Sequence, residues 1–312
     1  MDSTMPAAPL VSVVIPTYRH ERYIEETLAS VFAQTFRDFE VIVINDGSPD
    51  GTAAVLAPWA KAGRIRYYEQ PNSGQSATRN RAIEFARGEF IALLDDDDLW
   101  SPDKLEWQVS SLRENSRAVL CYGFAQSFGL EQNYRIPAEP GPQGVMGDVL
   151  VRGNPIISPG QVLVRTATLR AAGGFDPTIR GTEDWDLWIR LGRLGEFLYK
   201  DRCALQYRLH AHNASGNVGK MFTAGLQVVH KHVGRTPLGS QWRLWLRARG
   251  FVGRFSSTLA LGQAYDAAVE GRPLIAFQRL TSAVRFYPLL LGTRRFWRTL
   301  FRCAFKRPHA TS

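Results

Sequence analysis

The sequence predicts an α/β protein in which helices flank a mostly parallel sheet, followed by a basic helical C-terminal region. Two observations carry this prediction. Over about the first 120 residues, short apolar runs that suit buried strands alternate with segments whose apolar residues recur every three to four positions. Toward the end of the chain, aromatic and aliphatic residues alternate with arginines instead, and acidic residues become rare.

Composition sets the first limits. The chain has 312 residues, 45% of them hydrophobic and 21% charged, which is ordinary for a globular protein. No apolar run approaches the ~20 residues that a membrane helix needs. The tail from Met1 to Pro9 lacks the pattern of a signal peptide, and the three cysteines, Cys121, Cys203 and Cys303, form no C-x-x-C motif. We therefore expect a cytoplasmic protein without a disulfide or zinc framework.

Four predicted strands each end in a polar loop. The strands and their loops are Val11–Ile15 with Pro16-Thr17-Tyr18, Phe39–Ile44 with Asn45–Gly51, Ile65–Tyr68 with Asn72-Ser73-Gly74, and Phe90–Leu94 with Asp95–Asp98. Ile24, Leu28 and Val31 form the apolar stripe of a helix after the first strand, and a helix bearing Arg79 precedes the fourth. Because ligands bind at the carboxyl ends of strands in open α/β sheets, these loops would line one crevice.

The loop Asp95-Asp96-Asp97-Asp98 is the most informative of the four. Adjacent carboxylates raise each other's pKa unless a cation lies among them. Mg²⁺ and Mn²⁺ bind carboxylate oxygens together with phosphate oxygens and water. The alternative is a solvated turn before a helix with Ser101 as N-cap and Pro102 at its first position. A helix start accounts for one or two acids but not four, so we favour a metal site.

The other loops have two interpretations each. Asp46 either accepts the N–H of a nucleotide base or belongs to a tight Asn-Asp-Gly-Ser turn. The backbone N–H groups of Ser73 and Gly74 either bind a phosphate or begin a helix, and Arg79 is a diphosphate contact or a surface cation. The sequence contains neither a G-x-G-x-x-G nor a G-x-x-x-x-G-K-[ST] motif, which argues against dehydrogenases and P-loop enzymes.

The middle of the chain shows weaker patterns. The stretch Tyr122–Gly153 is rich in glycine, proline and glutamine and has little periodicity, so we expect loops and short elements there. A strand over Gln161–Val164 and a helix over Ala167–Ala172 follow.

A second acidic cluster comes later in the chain. Apolar residues from Leu187 to Leu194 indicate an amphipathic helix whose first turn carries Glu183, Asp184 and Asp186. These acids either complement the helix N-terminus or, if one lies in a cleft, supply a general base for an acceptor hydroxyl.

Six motifs, in this order and spacing, resemble the signature of family 2 glycosyltransferases. They are Val13–Tyr18, Val43–Ser48, Asn72-Ser73-Gly74 with Arg79-Asn80, Leu94–Asp98, Gly173–Asp176 and Glu183–Trp188. The resemblance covers about residues 10–215 and implies a GT-A fold there. Residues 1–9 form a tail before this domain, and residues 216–312 form a basic helical region that departs from the family pattern. The resemblance also implies an inverting transfer from a nucleotide diphosphate sugar, with UDP as the expected carrier and Mn²⁺ or Mg²⁺ as cofactor.

The resemblance further implies roles for single residues. Thr17, Tyr18 and Asp46 would hold the base and ribose, and Asp184 would be the catalytic base. Asp95 and Asp97 would form the D-x-D motif, and His210, with His212 as a rival, would bind the metal or diphosphate. The nucleotide-sugar-binding set is Pro16, Thr17, Tyr18, Asp46, Ser73, Gly74, Arg79, Asp95 and Asp96, and the metal set is Asp95, Asp97 and His210. The extra acid Asp96 leaves open which aspartates coordinate the metal.

The C-terminal region is strongly basic. From Lys231 to Ser312 the chain has 15 Lys and Arg residues but only Asp266 and Glu270 as acids. Aromatic residues alternating with arginines are typical of helices at an anionic membrane surface, although a helical subdomain with exposed arginines is the alternative. No nucleic-acid-binding motif accompanies the charge, so we expect no nucleic acid partner.

Two functions from different classes fit these patterns. The first is a metal-dependent glycosyltransferase, peripheral at the inner face of the cell membrane, that acts on a glycan or lipid-linked acceptor in surface polysaccharide, lipopolysaccharide or glycan assembly. The second is a non-catalytic nucleotide-sugar-binding or scaffold module of the same fold. The presence of Asp46, Asp95, Asp97 and Asp184 together favours the enzyme.

Overall fold

The computed structural model describes residues 8–129, 135–136, 140–210, 213, 217–234 and 241–305. The chain forms two compact units. The sheet unit comprises Met1–Leu150, Asn154–Thr178 and Glu183–His210, and the helical unit comprises Val151–Gly153, Ile179–Thr182 and Ala211–Ser312.

The sheet unit is built on one mixed sheet. Its ten strands among the described residues are β1 (Val11–Thr17), β2 (Phe39–Asn45), β3 (Arg66–Glu69), β4 (Phe90–Leu93), β5 (Leu99–Trp100), β6 (Ala118–Phe128), β7 (Arg135–Ile136), β8 (Gly144–Val145), β9 (Val162–Arg165) and β10 (Glu196–Arg208). The first seven helices are α1 (Ile24–Phe32), α2 (Thr52–Lys61), α3 (Gln75–Phe85), α4 (Lys104–Glu114), α5 (Gly147–Val151), α6 (Thr166–Ala171) and α7 (Glu183–Gly192).

The strands follow the order β3-β2-β1-β4-β9-β6-β10-β5, with β7 beside β6 and β8 beside β10. The first four are parallel to one another. β9 runs antiparallel to both of its neighbours, and β6 pairs with β10 in parallel. The predicted α/β class with flanking helices is confirmed. The carboxyl ends of β1 to β4 meet at one edge, which brings their polar loops together.

The four strands predicted from apolar runs are present. β1 and β4 are buried along their whole length, and the Leu94 N–H donates to the Val14 carbonyl oxygen just beyond β4. Their side chains join one core that includes Val13, Ile15 and Ala92, none of which is exposed. Burial on both faces explains why these strands are continuous apolar runs and do not alternate with polar residues.

Two local predictions differ from the structure. The stretch Tyr122–Gly153 contains the predicted short elements, β7, β8 and α5, but most of the long strand β6 lies at its start, inside the sheet. Gly123 weakens the strand pattern in the sequence, because glycine is uncommon inside strands. The structure requires glycine there, since β10 approaches so closely that a Cβ would lie 2.4 Å from the Arg202 carbonyl oxygen. The helix α4 begins at Lys104 after Asp103, so Ser101 is not its N-cap.

The helical unit confirms the predicted helical C-terminal extension. Its helices are α8 (Val218–Val233), α9 (Gln241–Val269), α10 (Pro273–Phe286) and α11 (Arg294–Phe305), with a 3-10 helix over Pro288–Gly292. They share a core of their own that includes Leu261, Leu280 and Phe296. Within the described residues, no helix is both long and apolar enough to cross a membrane.

Candidate active site

The four aspartates after β4 each have a different partner. Asp95 accepts a hydrogen bond from Arg79, and Asp97 pairs with the His210 Nε2 at 2.9 Å. Asp96 bonds to the His20 Nδ1 at 2.6 Å and accepts the Tyr18 N–H at 3.1 Å. The interpretation of this loop as a turn that caps the next helix is therefore wrong. The four carboxylates bond to four separate parts of the chain: the segment after β1, α3, the turn at Ser158 and the end of β10.

Asp98 is fully buried and holds the aspartate loop to other parts of the chain. It accepts the Arg208 N–H at 2.9 Å and faces the Ser158 hydroxyl at 3.4 Å. The Arg208 side chain returns a hydrogen bond to the Asp97 carbonyl oxygen at 2.8 Å. Burial, with the nearby Asp97 charge, raises the pKa of Asp98 well above its usual value. This double connection fixes the end of β10 beside the aspartate loop and brings His210 to Asp97. The rival ligand His212 lies outside the described residues.

Two histidines and one aspartate form a compact group. His20, Asp97 and His210 each offer one potential ligand atom, and these atoms all lie within 4.8 Å of one another. Burial and the charges of Asp96 and Asp95 raise the pKa of Asp97. Burial alone would lower the pKa of His20, but its hydrogen bond to Asp96 and the aspartate charges raise it to about 9. The raised pKa of His20 means that the aspartates favour a positive charge at this position.

Arg79 connects the aspartate loop to the start of α7. Its guanidinium, on an Arg79 residue only 2% exposed, donates to Asp95 and, at 3.3 Å, to Glu183. Burial would lower the pKa of Arg79, but the charges of Asp95 and Glu183, with that of Asp184, raise it. The same guanidinium lies 5.1 Å from the centre of the Phe175 ring. The open alternative of a surface cation does not fit a side chain this deeply buried.

Asp184 lies next to this ion pair in the first turn of α7. One of its oxygens accepts the Trp185 N–H at 2.7 Å. Burial and the charge of Glu183 raise the pKa of Asp184 to about 8. A carboxyl group poised near neutral pH suits proton transfer, since it can exist in either state under working conditions. Asp186, by contrast, is fully buried against Arg190 and holds the helix.

Asp46 closes the loop before α3. Its carboxylate accepts the backbone N–H groups of Ser73 at 2.8 Å and Gly74 at 2.9 Å, and the Gln70 side-chain amide at 2.7 Å. Gly74, with φ of +86°, is the residue just before the helix. The two N–H groups that could bind a phosphate therefore donate to Asp46. A carboxylate can accept about four hydrogen bonds, so one position remains for a ligand.

The end of β1 lies beside Asp46. The Asp46 N–H donates to the Thr17 carbonyl oxygen at 2.9 Å. Pro16 and Thr17 are buried inside the strand, and Tyr18, just beyond it, is 38% exposed. The Thr17 hydroxyl oxygen has no hydrogen-bond partner among the residues that the structure describes. The predicted nucleotide-binding residues of β1 and β2 thus lie together at one sheet edge.

Sequence reasoning missed two residues of this site. His20 was given no role, although it lies only two positions after the Pro16-Thr17-Tyr18 loop that ends the first strand. Glu183 was noted only as an acid at a helix start, yet it accepts a hydrogen bond from the buried Arg79. A histidine in a strand-end loop opposite an acidic loop was the available signal for His20.

Comparison with known proteins decides the family. The model of glycosyl transferase family 2 matches residues 12–171, about half of the chain. The chain belongs to glycosyl transferase family 2. TuaG of Bacillus subtilis (strain 168), whose name assigns it to teichuronic acid biosynthesis, is 34% identical to this family 2 chain over 220 residues. The alignment covers 68% of this chain and 84% of TuaG.

Some family 2 relatives are much longer. An uncharacterized glycosyltransferase of Rickettsia bellii (strain RML369-C) is 28% identical over 219 residues, which are 67% of this chain but 31% of that protein. The chain therefore spans about a third of the length of this relative.

Two solved structures share the fold of this family 2 chain. S. aureus TarS 1-349 in complex with UDP has a TM-score of 0.57 at 19% identity, over 91% of each chain. The mannosyltransferase PcManGT from Pyrobaculum calidifontis, in complex with GDP-Man and Mn²⁺, has a TM-score of 0.60 at 18% identity, over 96% of this chain and 87% of its own. At such identities the likeness concerns the fold alone, and that fold is GT-A.

Proposed function

We propose that this family 2 domain transfers a sugar from a nucleotide diphosphate sugar, with UDP as carrier, to a hydroxyl group of a growing glycan, with inversion at the anomeric carbon. The likeness to TuaG, named for teichuronic acid biosynthesis, supports a role in surface polysaccharide assembly. TarS in complex with UDP and PcManGT in complex with GDP-Man show that proteins of this fold bind nucleoside diphosphates, which supports a nucleotide-linked donor.

One observation carries this proposal. The buried Arg79 bridges Asp95 of the aspartate loop and Glu183 of α7, directly beside Asp184. Asp95 and Glu183 are 88 positions apart in the sequence. Their ion pairs with Arg79 bring the two motifs into one site. A site that joins a cation-attracting acidic loop to a titratable carboxyl group provides both parts that displacement of a diphosphate by a hydroxyl requires.

Asp184 is the base in this proposal. Its carboxylate accepts the proton of the acceptor hydroxyl as that oxygen attacks the anomeric carbon on the face opposite the leaving diphosphate. The carboxyl group must first be ionised, and the positive charge of Arg79 favours the ionised form. No covalent sugar intermediate is needed, because the attack is direct.

The donor would lie along the ends of β1 to β4. We assign Thr17, Tyr18 and Asp46 to the base and ribose, with Pro16 shaping the strand end. Ser73 and Gly74 hold Asp46 in position from the start of α3. Arg79 and Asp95 would face the diphosphate.

The donor set of the aspartate loop fits a divalent cation. Asp97 and His210 offer a carboxylate oxygen and an imidazole nitrogen 2.9 Å apart, and the carboxylates of Asp95 and Asp96 adjoin them in the same loop. We propose Asp97 and His210 as ligands, with Asp95 and Asp96 adjoining them. A bound Mn²⁺ or Mg²⁺ would neutralise the charge that develops on the departing diphosphate.

The helical unit presents a surface suited to an anionic lipid layer. We define its apolar patch as Leu289, Leu291, Trp297 and Phe301, which are 73%, 45%, 56% and 66% exposed. The Trp297 indole N–H donates to the Leu291 carbonyl oxygen at 2.8 Å, which joins the 3-10 helix to α11. No acid follows Glu270 in the sequence. Aromatic side chains among arginines favour contact with anionic headgroups, so we propose peripheral membrane binding here.

Nucleotide binding and turnover test the proposal. The purified chain is titrated with UDP, GDP and their sugars by calorimetry, with Mn²⁺ or with EDTA, and diphosphate release is then followed with glycan acceptors. We expect one nucleotide to bind only with Mn²⁺ and Asp97→Asn to abolish that binding. Asp148→Asn, which alters an exposed acid in the first turn of α5, is the matched control.

The outcomes separate the candidate functions. Failure of every nucleotide to bind would contradict the proposal. Binding of one donor without release of its diphosphate to any acceptor or to water would favour the non-catalytic module.

A further inference from the structure

We propose that His20 is a third protein ligand of the divalent cation, beside Asp97 and His210. The resulting set of two imidazoles and one carboxylate would select Mn²⁺ and other first-row transition ions over Mg²⁺. This inference rests on the proposed metal dependence and adds to it a ligand from the loop between β1 and α1.

The spacing of the three side chains suits a shared ion. One potential ligand atom from each lies within 4.8 Å of the other two. Ligands about 2.1 Å from a metal in octahedral geometry are separated by about 3 Å when adjacent and about 4.2 Å when opposite. Small rotations of the side chains would therefore bring the three atoms to coordination distance.

Asp96 orients the His20 ring for this task. The His20 Nδ1 is 2.6 Å from one Asp96 oxygen, and the other Asp96 oxygen accepts the Tyr18 N–H at 3.1 Å. With Nδ1 directed to Asp96, coordination would use Nε2, and the imidazole would give up the Nε2 proton when the ion binds. Metal-binding histidines commonly direct their second ring nitrogen to a carboxylate in this way, which fixes the tautomer and the ring orientation. The otherwise unexplained extra acid Asp96 thereby acquires a function as a positioning residue.

The backbone holds His20 in place at some cost. Arg19 has φ of +62°, which no other non-glycine residue among those described adopts. Its N–H donates to the Ser48 hydroxyl at 3.1 Å, and the His20 carbonyl oxygen accepts the N–H groups of Tyr23 and Ile24 where α1 begins. Such a conformation is strained for a residue other than glycine and persists where the surroundings require it. Here it turns the chain sharply enough for His20 to face the aspartates.

Aromatic contacts complete the arrangement of the two imidazoles. The His210 ring stacks on Tyr23 at 5.0 Å between centroids, and the His20 and His210 rings meet edge to face at 5.9 Å. Tyr23 also contacts His20 at 5.7 Å. One tyrosine thus packs against both histidines and limits their rotation.

The ligand chemistry decides the selectivity. Mg²⁺ prefers oxygen ligands and keeps several waters, whereas imidazole suits transition ions. An ion held by these three side chains would still accept diphosphate oxygens and water. Two imidazoles in the set therefore favour first-row transition ions over Mg²⁺, with the affinity rising from Mn²⁺ through Co²⁺ to Ni²⁺.

Metal binding without turnover tests this inference. Mn²⁺ and Mg²⁺ are titrated separately into the full chain by calorimetry, with and without UDP, and pulsed electron paramagnetic resonance counts the histidine nitrogens coupled to Mn²⁺. We expect two coupled nitrogens in the wild type and one in His20→Gln. The variant should bind Mn²⁺ about 10–100-fold more weakly while its Mg²⁺ affinity changes much less.

Controls separate the possible failures. His230→Gln, on α8, should keep both couplings, and circular dichroism verifies that each variant folds. Asp96→Asn should weaken Mn²⁺ binding while both nitrogens remain coupled. If two nitrogen couplings persist in His20→Gln, or if its Mn²⁺ affinity is unchanged, this inference is overturned and the proposed function still stands. If wild type bound neither ion even with UDP, the metal dependence in the proposed function would fall as well.

Discussion

The two units of this chain treat charge in opposite ways. In the sheet unit, Arg79 and Asp98 are 2% and 0% exposed, and each has specific charged or hydrogen-bonding partners. In the helical unit, Arg298 is exposed on α11 beside Trp297, itself 56% exposed. Buried charges need precise partners and so define a site, whereas exposed charges beside apolar groups define a surface. The difference distinguishes the site that we propose for catalysis from the surface that we propose for membrane attachment.

The largest effect should come from Asp184, the half-buried acid in the first turn of α7. Asp184→Asn keeps the size of the side chain but cannot accept a proton. We expect the transfer rate to fall by about 10²–10⁴-fold, the usual contribution of a general base. Steady-state release of the nucleoside diphosphate measures this, and Asp148→Asn should be unaffected. A loss smaller than tenfold would assign the base to another group.

The same substitution should stabilise the protein. The folded chain raises the pKa of Asp184 from 3.8 to about 8, so between these values the folded state binds more protons than the unfolded state. Stability from this group is therefore present at low pH and lost as pH rises toward 8. We expect Asp184→Asn to have the higher Tm at pH 8, by more than about 2 °C, and no advantage at pH 4. Differential scanning fluorimetry from pH 4 to pH 8 measures how the Tm difference between the variant and the wild type grows with pH.

The second effect concerns the buried ion pair. Arg79→Leu leaves Asp95 and Glu183 without their shared cation, which should lower the free energy of unfolding by about 3–5 kcal/mol. Arg81→Leu is the control, because Arg81 lies on the same helix but is half-buried and bonds to Gln70. It should cost less than about 1 kcal/mol. Urea denaturation of both variants tests the comparison, and equal costs would contradict the role given to Arg79.

The third effect concerns the exposed surface of the helical unit. Trp297→Glu with Phe301→Glu should reduce binding to anionic lipid vesicles by about 10–100-fold, because apolar contact is lost and negative charge is added. The control is Leu194→Glu, which alters a side chain of the sheet unit that is 53% exposed. Co-sedimentation with vesicles containing phosphatidylglycerol measures both. Equal binding by all three proteins would remove the apolar patch from the proposal.

The smallest effect should distinguish a ligand contact from a structural one. The Thr17 hydroxyl oxygen is buried and has no partner among the described residues, so Thr17→Val should change stability by less than about 0.5 kcal/mol. If the hydroxyl instead meets the donor, nucleotide affinity should fall by about tenfold. Calorimetry and urea denaturation on the same protein separate the two. If the free energy of unfolding fell by as much as the free energy of nucleotide binding, this interpretation would be contradicted.

Sequence patterns predicted the part of the fold that is uniformly apolar. β1 and β4 are buried on both faces, so their residues form runs that any strand template detects. β10 escaped detection because Lys200, Asp201 and Arg202 interrupt it where its register with β6 shifts. A bulge exposes residues that would otherwise alternate, and it removes the period on which the prediction depends.

The candidate site was predictable in its motifs but not in its pairings. The proximity of Asp95 to Glu183 depends on one buried guanidinium from α3, which no local pattern reveals. The position of His20 depends on the positive φ of Arg19, a conformation that arginine rarely adopts. Residue types indicate chemistry, while backbone turns and buried partners decide which groups meet.

The connection from Asp98 to Arg208 also affects how this protein folds while the ribosome synthesises it. These residues are 110 positions apart, and His210 is 113 positions beyond Asp97. A nascent chain that has emerged only through β6 would carry the aspartate loop without either partner. Ribosomes add about 5–20 residues per second, so the loop waits for several seconds before β10 arrives. Nucleotide affinity should therefore appear late in synthesis, and donor binding would indicate that β10 has joined the sheet.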